Sequence, residues 1–529
     1  MNPRRPRAAL VAIRGQRIFW VGEDVERVRE GAGKAIDCEG KALLPAFVDA
    51  HFHLFAYVSS LLSLDCSPPS VASLAQVKEK VCRRARETPP GSWVRAYGYD
   101  EFSLAEKHHP TRWDLDEAAP VHPVRLLHRS LHAAVLNSLA LSRAGISRET
   151  PDPVEGLIDR DETGEPTGLL FGMNAYLTEK VVPPLGEAEL VWGMERASRQ
   201  LLSWGIASIQ DATANNSLSQ WEALRRLKRA GKFAPRVTMM IGFSSLDDLL
   251  RAGYAFGSGD EDLRLGAVKI VLEETTGSLT PSREVLREQI VQAHRAGFQV
   301  ALHAVEETTL EAAVEALEHA LGRYPRRDHR HRIEHGSVCP PPLLRRLRAL
   351  KVVVVTQPSF LYYSGERYRA EVPPYQQPWL YRVKSFHRAG LRPAASSDAP
   401  VVPPNPVMGL YAAVTRKSRE GVALLPEEAI SPHEALEMYT RNAAYAAFEE
   451  RAKGSLVAGK LADLVLLSHD PTAVSPDEIK DIRVEKTILG GRVFSEAGEE
   501  AAQKTEDDDS HHRADVQHAH PGDDRPQGG

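Results

Sequence analysis

The chain has 529 residues, of which 42% are hydrophobic and 26% charged, and its net charge at pH 7 is −5. This composition predicts a large globular domain with a smaller one beside it, and it excludes a wholly disordered chain. Basic stripes are absent and the longest apolar runs have strand length, so neither nucleic acid nor a membrane is an expected partner. Four scattered cysteines without a CxxC pair indicate free thiols in a reducing compartment. We expect a cytoplasmic protein, compatible with a homo-oligomer, that acts on a small-molecule substrate.

Both ends of the chain carry short strand patterns. Residues 8–20 alternate around a turn at Gly15, and Ile36–Lys41 is predicted to form a further short strand and turn. Near the other end, Gly454–Leu467 has the pattern of a turn followed by a strand, and Val484–Phe494 that of a hairpin. These patterns predict a small β-sandwich built from residues 1–43 and 446–496.

The apolar run Leu44–Leu54 ends in two histidines, His51 and His53. Side chains two residues apart on a strand point the same way, so these imidazoles can face one metal ion. Two histidines at this spacing are by themselves more often incidental than metal ligands, so the interpretation depends on residues later in the chain. The following segment, about residues 60–195, is too long for a simple loop and is interpreted as an insertion after this strand.

From Ser203 onward, apolar strands alternate with amphipathic helices such as Leu218–Ala230, Ser282–Ala296 and Thr308–Leu321. Together with the His51 strand they make eight, which predicts a (β/α)8 TIM barrel over residues 44–445. In that fold, catalytic residues lie at the carboxyl ends of the strands. The seven further predicted strands are Ile206–Gln210, Arg236–Ile241, Gly266–Leu272, Phe298–Ala304, Arg332–Gly336, Val352–Gln357 and Pro393–Asp398.

The last stretch, residues 497–529, is acidic and has almost no large apolar side chains. This composition predicts a disordered tail. Its histidines can bind metal adventitiously, but we expect no catalytic role for them. They are His511, His512, His518 and His520.

Lys269 lies inside the apolar run Ala267–Leu272. Burial lowers the pKa of a lysine, and the neutral amine can react with carbon dioxide to give a carbamate that bridges two cations. The plainer interpretation is a barrel lysine paired with an acid such as Glu273 or Glu274.

Three further side chains end predicted strands: His303, His335 and Asp398. A lone histidine at a strand end is more often a satisfied polar residue than a ligand, and Asp398 can simply cap the following loop. As a set with His51, His53 and Lys269, however, they can converge above the barrel around two divalent ions. Zinc suits this nitrogen-rich set best, with iron, manganese or cobalt as alternatives.

These motifs resemble the amidohydrolase superfamily, and finer ones resemble its family 3, in the branch of the N-substituted formamide deformylases. The resemblance runs from about residue 10 to about residue 494. One departure follows the lysine strand, where the family often has an Asp-Gly pair and this chain has Glu273-Glu274. The finer motifs are Pro110–Asp116, Pro123–Val124 with His132, Asn137–Leu141, Tyr439–Ala444 and Gly454–Leu467.

The resemblance implies a metal-dependent hydrolase that cleaves a carbon–nitrogen bond other than a peptide bond, of amide or N-substituted formamide type. His51, His53 and Asp398 are implied to hold one metal ion and His303 and His335 a second, with carboxylated Lys269 between them. Metal-bound hydroxide is implied to attack the substrate carbon, while Asp398 moves the proton to the leaving nitrogen.

Two other functions stay open from the sequence. Glu306, three residues after His303, suits a mononuclear-metal deaminase of an aminated heterocycle, although it can equally begin a helix. A catalytically silent binding protein on the same fold is the third possibility. His132, Arg129 and Asp211 are candidates for substrate binding, and for the first two a plain surface pair in the insertion is the alternative.

Overall fold

The computed structural model describes residues 7–24, 33–153, 156–275 and 278–494. The tail predicted at residues 497–529, with its four histidines, lies outside this described part. Within the described part, no helix combines the length and the apolar character needed to cross a membrane.

Eight parallel strands form a nearly closed barrel in which neighbours in space follow the order of the chain, and this confirms the predicted fold. The loop after the last strand is joined to the end of the first strand by backbone hydrogen bonds from Asp398 N–H to the His51 carbonyl and from His53 N–H to the Ala399 carbonyl, both 2.9 Å. The eight strands are Phe47–Phe52, Ile206–Asp211, Arg236–Gly242, Leu263–Val271, Val300–Ala304, Arg332–His335, Val353–Thr356 and Ala394–Ala395.

The barrel strands are buried on both faces because helices cover the outside, which explains their continuous apolar runs. The helix Leu218–Arg229 shows how the sequence produces this layer. It begins after Ser217, whose side chain accepts a hydrogen bond from a backbone N–H of the first turn, and it buries Trp221, Leu224 and Leu227. The longer outer helices are Leu54–Leu62, Glu187–Ser203, Leu218–Arg229, Arg283–Arg295, Glu307–Arg323, Pro341–Leu350, Pro358–Glu371 and Pro406–Thr415.

The insertion is an α/β unit with its own mixed sheet of six strands and its own buried core. Its sheet runs parallel through the first three strands and antiparallel through the others. Its main helices are Leu74–Glu87, Arg112–Ala118 and Ser138–Ala144. The strands are Leu64–Asp65, Val94–Tyr99, Val124–His128, Ala133–Leu136, Leu157–Arg160 and Pro166–Phe171.

Both chain ends contribute to antiparallel sheets, as predicted. The hairpin Leu10–Arg14 with Arg17–Gly22 forms one, and the other has four strands, including one from the N-terminal part of the chain. That four-stranded sheet consists, in spatial order, of Arg492–Phe494, Val484–Leu489, Leu464–Leu467 and Ala42–Pro45.

Two predicted strands near the N-terminus have different bounds in the structure. Residues 36–41 form no strand, because Asp37 accepts a hydrogen bond from Glu39 N–H and the chain turns there. The run Leu44–Leu54 is divided at Ala46: Ala42–Pro45 pairs in the end sheet, while Phe47–Phe52 enters the barrel. The hydrogen bond from Ala46 N–H to the Asp463 carbonyl marks the change from one sheet to the other.

A closed network of three buried histidines lies at the other end of the barrel, where the strands begin. His294 Nε2–H donates to the Tyr324 carbonyl at 2.8 Å, and His331 Nε2–H donates to His294 Nδ1 at 2.9 Å. The third member, His329, accepts a hydrogen bond from His331 N–H. Each ring nitrogen without a proton therefore already accepts a hydrogen bond. Protonation of one of these nitrogens would place two N–H donors face to face, which is unfavourable. Burial lowers the pKa of all three histidines.

This network predicts a loss of stability in acid. The pKa of His331 is lower in the folded state than in the unfolded state. The stability that neutral His331 contributes is therefore complete above about pH 6.5, and it is lost as the pH falls toward the lowered pKa of the folded state. The charged groups near the network are Arg326 and Asp328. Denaturant unfolding between pH 8 and 5 should show that His331→Asn reduces the slope of stability against pH by up to about 1.4 kcal/mol per pH unit. Equal slopes for both proteins would contradict this account.

Candidate metal centre

The predicted ligands lie together at the mouth of the barrel, where the strands end. His51 lies in the first strand, Lys269 in the fourth and His303 in the fifth. His335 ends the sixth strand. Asp398 was predicted to end the eighth strand, but that strand covers only Ala394–Ala395, and Asp398 lies in the loop that follows.

His51, His53 and Asp398 offer three ligand atoms that all lie within 4.8 Å of one another. Asp398 Oδ1 is 2.9 Å from His53 Nε2 and 3.3 Å from His51 Nε2. The three side chains come from opposite ends of the barrel domain's sequence and meet where the first and last strands adjoin. They form a compact site of two imidazoles and one carboxylate, a donor set that suits a divalent metal ion.

The other ring nitrogens of this pair of histidines are tethered, which fixes their tautomers. His51 Nδ1 is 2.6 Å from Glu334 Oε2, and Glu334 also accepts hydrogen bonds from Arg332. His53 Nδ1 is 3.1 Å from Thr213 Oγ1, whose hydroxyl donates to Asp211 Oδ1 at 2.6 Å. Both histidines therefore donate through Nδ1–H and turn an Nε2 lone pair toward Asp398.

His335 and His303 form a second pair next to the first. His335 Nδ1–H donates to Gln357 Oε1 at 2.8 Å, and Gln357 is oriented by Ser396. This leaves the His335 Nε2 lone pair facing His303 Nδ1 at 2.9 Å. The ring centroids of His51 and His335 are 4.9 Å apart, so the two pairs of histidines share one centre.

Lys269 is buried in the same centre, next to His51. Its side chain leaves the fourth strand with 2% of its surface exposed, and Nζ is 3.5 Å from His51 Nε2. Burial lowers the pKa of Lys269 to about 8, which populates the neutral amine. The structure does not pair it with Glu273 or Glu274, because Glu273 contacts His132 and Glu274 contacts Thr308.

Two of the predicted ligands have unusual backbone conformations. Asp398 and His335 have φ angles of +59° and +70°, in the left-handed region that residues other than glycine seldom adopt. Such a conformation costs on the order of 1–3 kcal/mol and persists where surrounding contacts impose it. These two left-handed conformations indicate a functional constraint on the side chains of Asp398 and His335.

The charges and lone pairs of this centre fit a bound cation. Burial lowers the pKa of His51, His303 and His335, which favours the neutral imidazoles that metals require. Asp398 Oδ1 is buried without a hydrogen-bond partner in the described part of the chain, and it faces two imidazole lone pairs. Acceptor atoms this close repel one another unless a positive ion lies among them, so the residues fit a divalent metal centre.

A second group with possible ligand atoms lies in the insertion and consists of Asp100, Glu101 and His128. Its charges are already balanced: Arg129 and Arg367 contact Asp100, and Arg367 also contacts Glu101. Ser130 N–H donates to His128 Nδ1, and His128 Nε2 lies 2.8 Å from Glu101 Oε2. This arrangement is a hydrogen-bonded ion network that joins the insertion to the barrel helix Pro358–Glu371.

The three predicted substrate-binding residues have different surroundings. His132 reaches the barrel mouth, and its ring centroid is 6.2 Å from that of His303. Arg129 instead contacts Asp100 and Ser364 through its guanidinium group. Asp211 is fully buried and orients His53 through Thr213. For all three, substrate binding stays a prediction.

Glu306, the residue that suits a deaminase, lies at the start of the helix Glu307–Arg323. It is exposed, and its carboxylate accepts a hydrogen bond from Thr309 Oγ1 at 3.2 Å. This is the position of a helix-capping residue, where a negative charge is favourable.

Sequence reasoning missed the residues that orient the candidate ligands: Glu334, Thr213 and Gln357. A signal exists only for Glu334, because Arg332 and Glu334 are two residues apart in an apolar strand and so share a face. Thr213 and Gln357 contact histidines that are 160 and 22 residues away in the chain, and nothing local in the sequence indicates those contacts.

Comparison with known proteins shows the family of the chain. The amidohydrolase family model matches residues 34–494. The N-substituted formamide deformylase of Arthrobacter pascens is 31% identical over 93% of this chain and 95% of its own length. The putative amidohydrolase YtcJ of Bacillus subtilis is 29% identical over 89% of this chain and 93% of its own length.

Among solved structures, an uncharacterized metal-dependent hydrolase from Pyrococcus horikoshii superposes with a TM-score of 0.70. It is 26% identical in sequence, and the match covers 88% of this chain and 95% of that chain. The match therefore extends well beyond the barrel. The chain belongs to the amidohydrolase family, and its barrel mouth carries the side chains of a metal-dependent hydrolase.

Proposed function

We propose that the protein hydrolyses a carbon–nitrogen bond other than a peptide bond, in an amide or an N-substituted formamide, with the help of two divalent metal ions. The observation that carries this proposal is the convergence of the six predicted ligands on one buried centre. These are His51, His53, Lys269, His303, His335 and Asp398.

Each side chain has a place in the proposed centre. His51, His53 and Asp398 would hold one ion, and His303 and His335 the other. A carbamate on Lys269 Nζ would supply a further carboxylate ligand for the ions. The nitrogen-rich donor set favours zinc, and iron, manganese or cobalt would also be accommodated.

The bound ions would lower the pKa of water and polarise the substrate carbonyl. Asp398 would act as the general base and then the general acid: its carboxylate takes a proton from the attacking water and delivers it to the leaving nitrogen. Its position supports this role, because Oδ1 faces the centre and makes no hydrogen bond to the described residues. The tethered tautomers of His51 and His53 hold the adjacent ligands in a fixed orientation during this transfer.

The choice of bond rests on the resemblance to relatives. The Arthrobacter pascens protein, whose name gives N-substituted formamides as its substrates, matches along almost the full length of both chains. Its matched region includes the insertion that borders the barrel mouth. A small formyl group on a larger amine is therefore the first substrate class to test.

The test is a substrate panel on metal-free protein reconstituted with zinc, manganese, iron or cobalt. The panel comprises N-methyl-, N-butyl- and N-phenylformamide, simple amides and aminopyrimidines, with release of formate, amine or ammonia as the readout. We expect formate and amine from at least one formamide, loss of turnover with a chelator and its return with metal. Ammonia from aminopyrimidines alone would support the deaminase, and inertness with full metal content would support a silent binding protein.

A further inference from the structure

The insertion contributes His132 to the mouth of the barrel. This residue lies just before the insertion strand Ala133–Leu136, and its backbone is held on both sides. His132 N–H contacts Ser130 Oγ at 3.2 Å, and Gly172 N–H donates to the His132 carbonyl at 2.9 Å. The imidazole extends from this fixed point toward His303.

Glu273 orients the His132 ring from the barrel side. It follows the strand that carries Lys269, and its Oε1 lies 3.2 Å from His132 Nδ1. The hydrogen bond raises the pKa of His132 and lowers that of Glu273, as expected for two groups that pair with each other. Carboxylates only accept hydrogen bonds when ionised, so Nδ1 carries the proton of this contact.

This contact leaves one polar atom of His132 available. Nε2 makes no hydrogen bond to the residues that the structure describes, and 54% of the side chain is exposed at the mouth. One nitrogen of the His132 ring is thus held by Glu273, and the other is free. The ring lies next to His303, a proposed metal ligand. The same arrangement of one tethered and one free nitrogen characterises His51 and His53, but the His132 side chain is far more exposed at the barrel mouth than theirs.

We propose that Nε2 of His132 hydrogen-bonds to a polar group of the substrate on the His303 side of the centre, and that Glu273 is the positioning residue that aims it. This inference deepens the proposed function and rests on it. It assigns to the insertion a direct part in substrate recognition, and it gives a role to the glutamate that stands where the resemblance leads one to expect an Asp-Gly pair.

Three substitutions at His132 and Glu273 distinguish the orienting role of Glu273 from the substrate contact of His132. His132→Asn keeps a donor near the Nδ1 position and removes Nε2, whereas Glu273→Gln keeps an acceptor and Glu273→Ala removes it. We expect His132→Asn to lower kcat/KM about 10- to 100-fold on the formamide that the wild-type protein turns over. Glu273→Ala should lower it about 10-fold, and Glu273→Gln should restore it to within about threefold of the wild-type value.

The double variant tests whether the two residues act as one unit. If Glu273 acts only through His132, His132→Asn combined with Glu273→Ala should match His132→Asn alone. Metal content and thermal midpoint should equal those of the wild-type protein in every variant. His108→Asn, a change at an exposed histidine elsewhere in the insertion, serves as the control and should leave kcat/KM unchanged.

The possible results separate a failure of this inference from a failure of the proposed hydrolytic function. Turnover by the wild-type protein with an unchanged kcat/KM in His132→Asn would overturn the inference and leave the proposed function standing. Additive losses in the double variant would overturn the positioning role of Glu273. A wild-type protein that turns over no formamide or amide on the panel would overturn the proposed function and this inference with it.

Discussion

Replacing Asp398 with asparagine is expected to lower kcat by about 100- to 10,000-fold, the range typical of losing a general acid–base group. Asparagine keeps the size of the side chain and tolerates the left-handed backbone at this position, where φ is +59°. The change therefore removes the charge and the proton-transfer group with little effect on the fold. Steady-state kinetics on the formamide found in the panel, with metal analysis and a thermal melt of the same preparation, provides the measurement.

The control for this substitution is Asp477→Asn. Asp477 has a side chain that is 61% exposed and pairs with Lys417 at 2.7 Å on the surface, so its loss should change kcat by less than about threefold. A variant at Asp398 that retains wild-type kcat would remove this residue from the proposed proton transfer.

Glu334→Gln is expected to cost about 3–5 kcal/mol of stability, because it leaves Arg332 as an unpaired buried charge. Both side chains are almost fully buried, at 1% and 0% exposure, and the shorter of their two contacts is 2.6 Å. The midpoint of urea unfolding measures the loss. Glu318→Gln is the matched control: Glu318 is 42% exposed, pairs with Arg346, and should cost less than about 1 kcal/mol.

The same substitution should also weaken metal binding. Glu334 accepts the hydrogen bond that fixes the tautomer of His51, and loss of such a partner typically lowers metal affinity about 10- to 100-fold. Competition with a chromophoric chelator at fixed pH measures this change. Equal affinity in the wild-type protein and the variant would show that Glu334 stabilises the barrel without orienting the ligand.

The barrel could be predicted from the sequence because each of its strands has a local hydrophobic pattern. Each strand is a continuous apolar run, and side chains with ligand atoms end the runs at His303, His335 and the His51 pair. The sheet of the insertion was not predicted, because strands as short as Leu64–Asp65 carry no periodicity that separates them from loops. Its pairing also mixes parallel and antiparallel neighbours, which no single pattern in the sequence indicates.

The sequence indicates the candidate ligands but not the residues that contact them. His51, Lys269 and Asp398 stand out as polar groups within or just after apolar runs. Their contacts come from other strands: Glu334 is 283 residues from His51 in the chain, and the sequence does not encode which acid meets which histidine. For the same reason Glu273 was an expected partner of Lys269, whereas in the fold it meets His132 from the insertion.

Anomalous diffraction from crystals grown with zinc tests the account most directly. Two metal peaks are expected at the mouth of the barrel, one between His51, His53 and Asp398 and one between His303 and His335. Electron density should extend from Lys269 Nζ between them. A single peak bound by His51 and His53 with a bare lysine would contradict the two-metal centre, and no peak within coordination distance of these histidines would contradict the assignment as a whole.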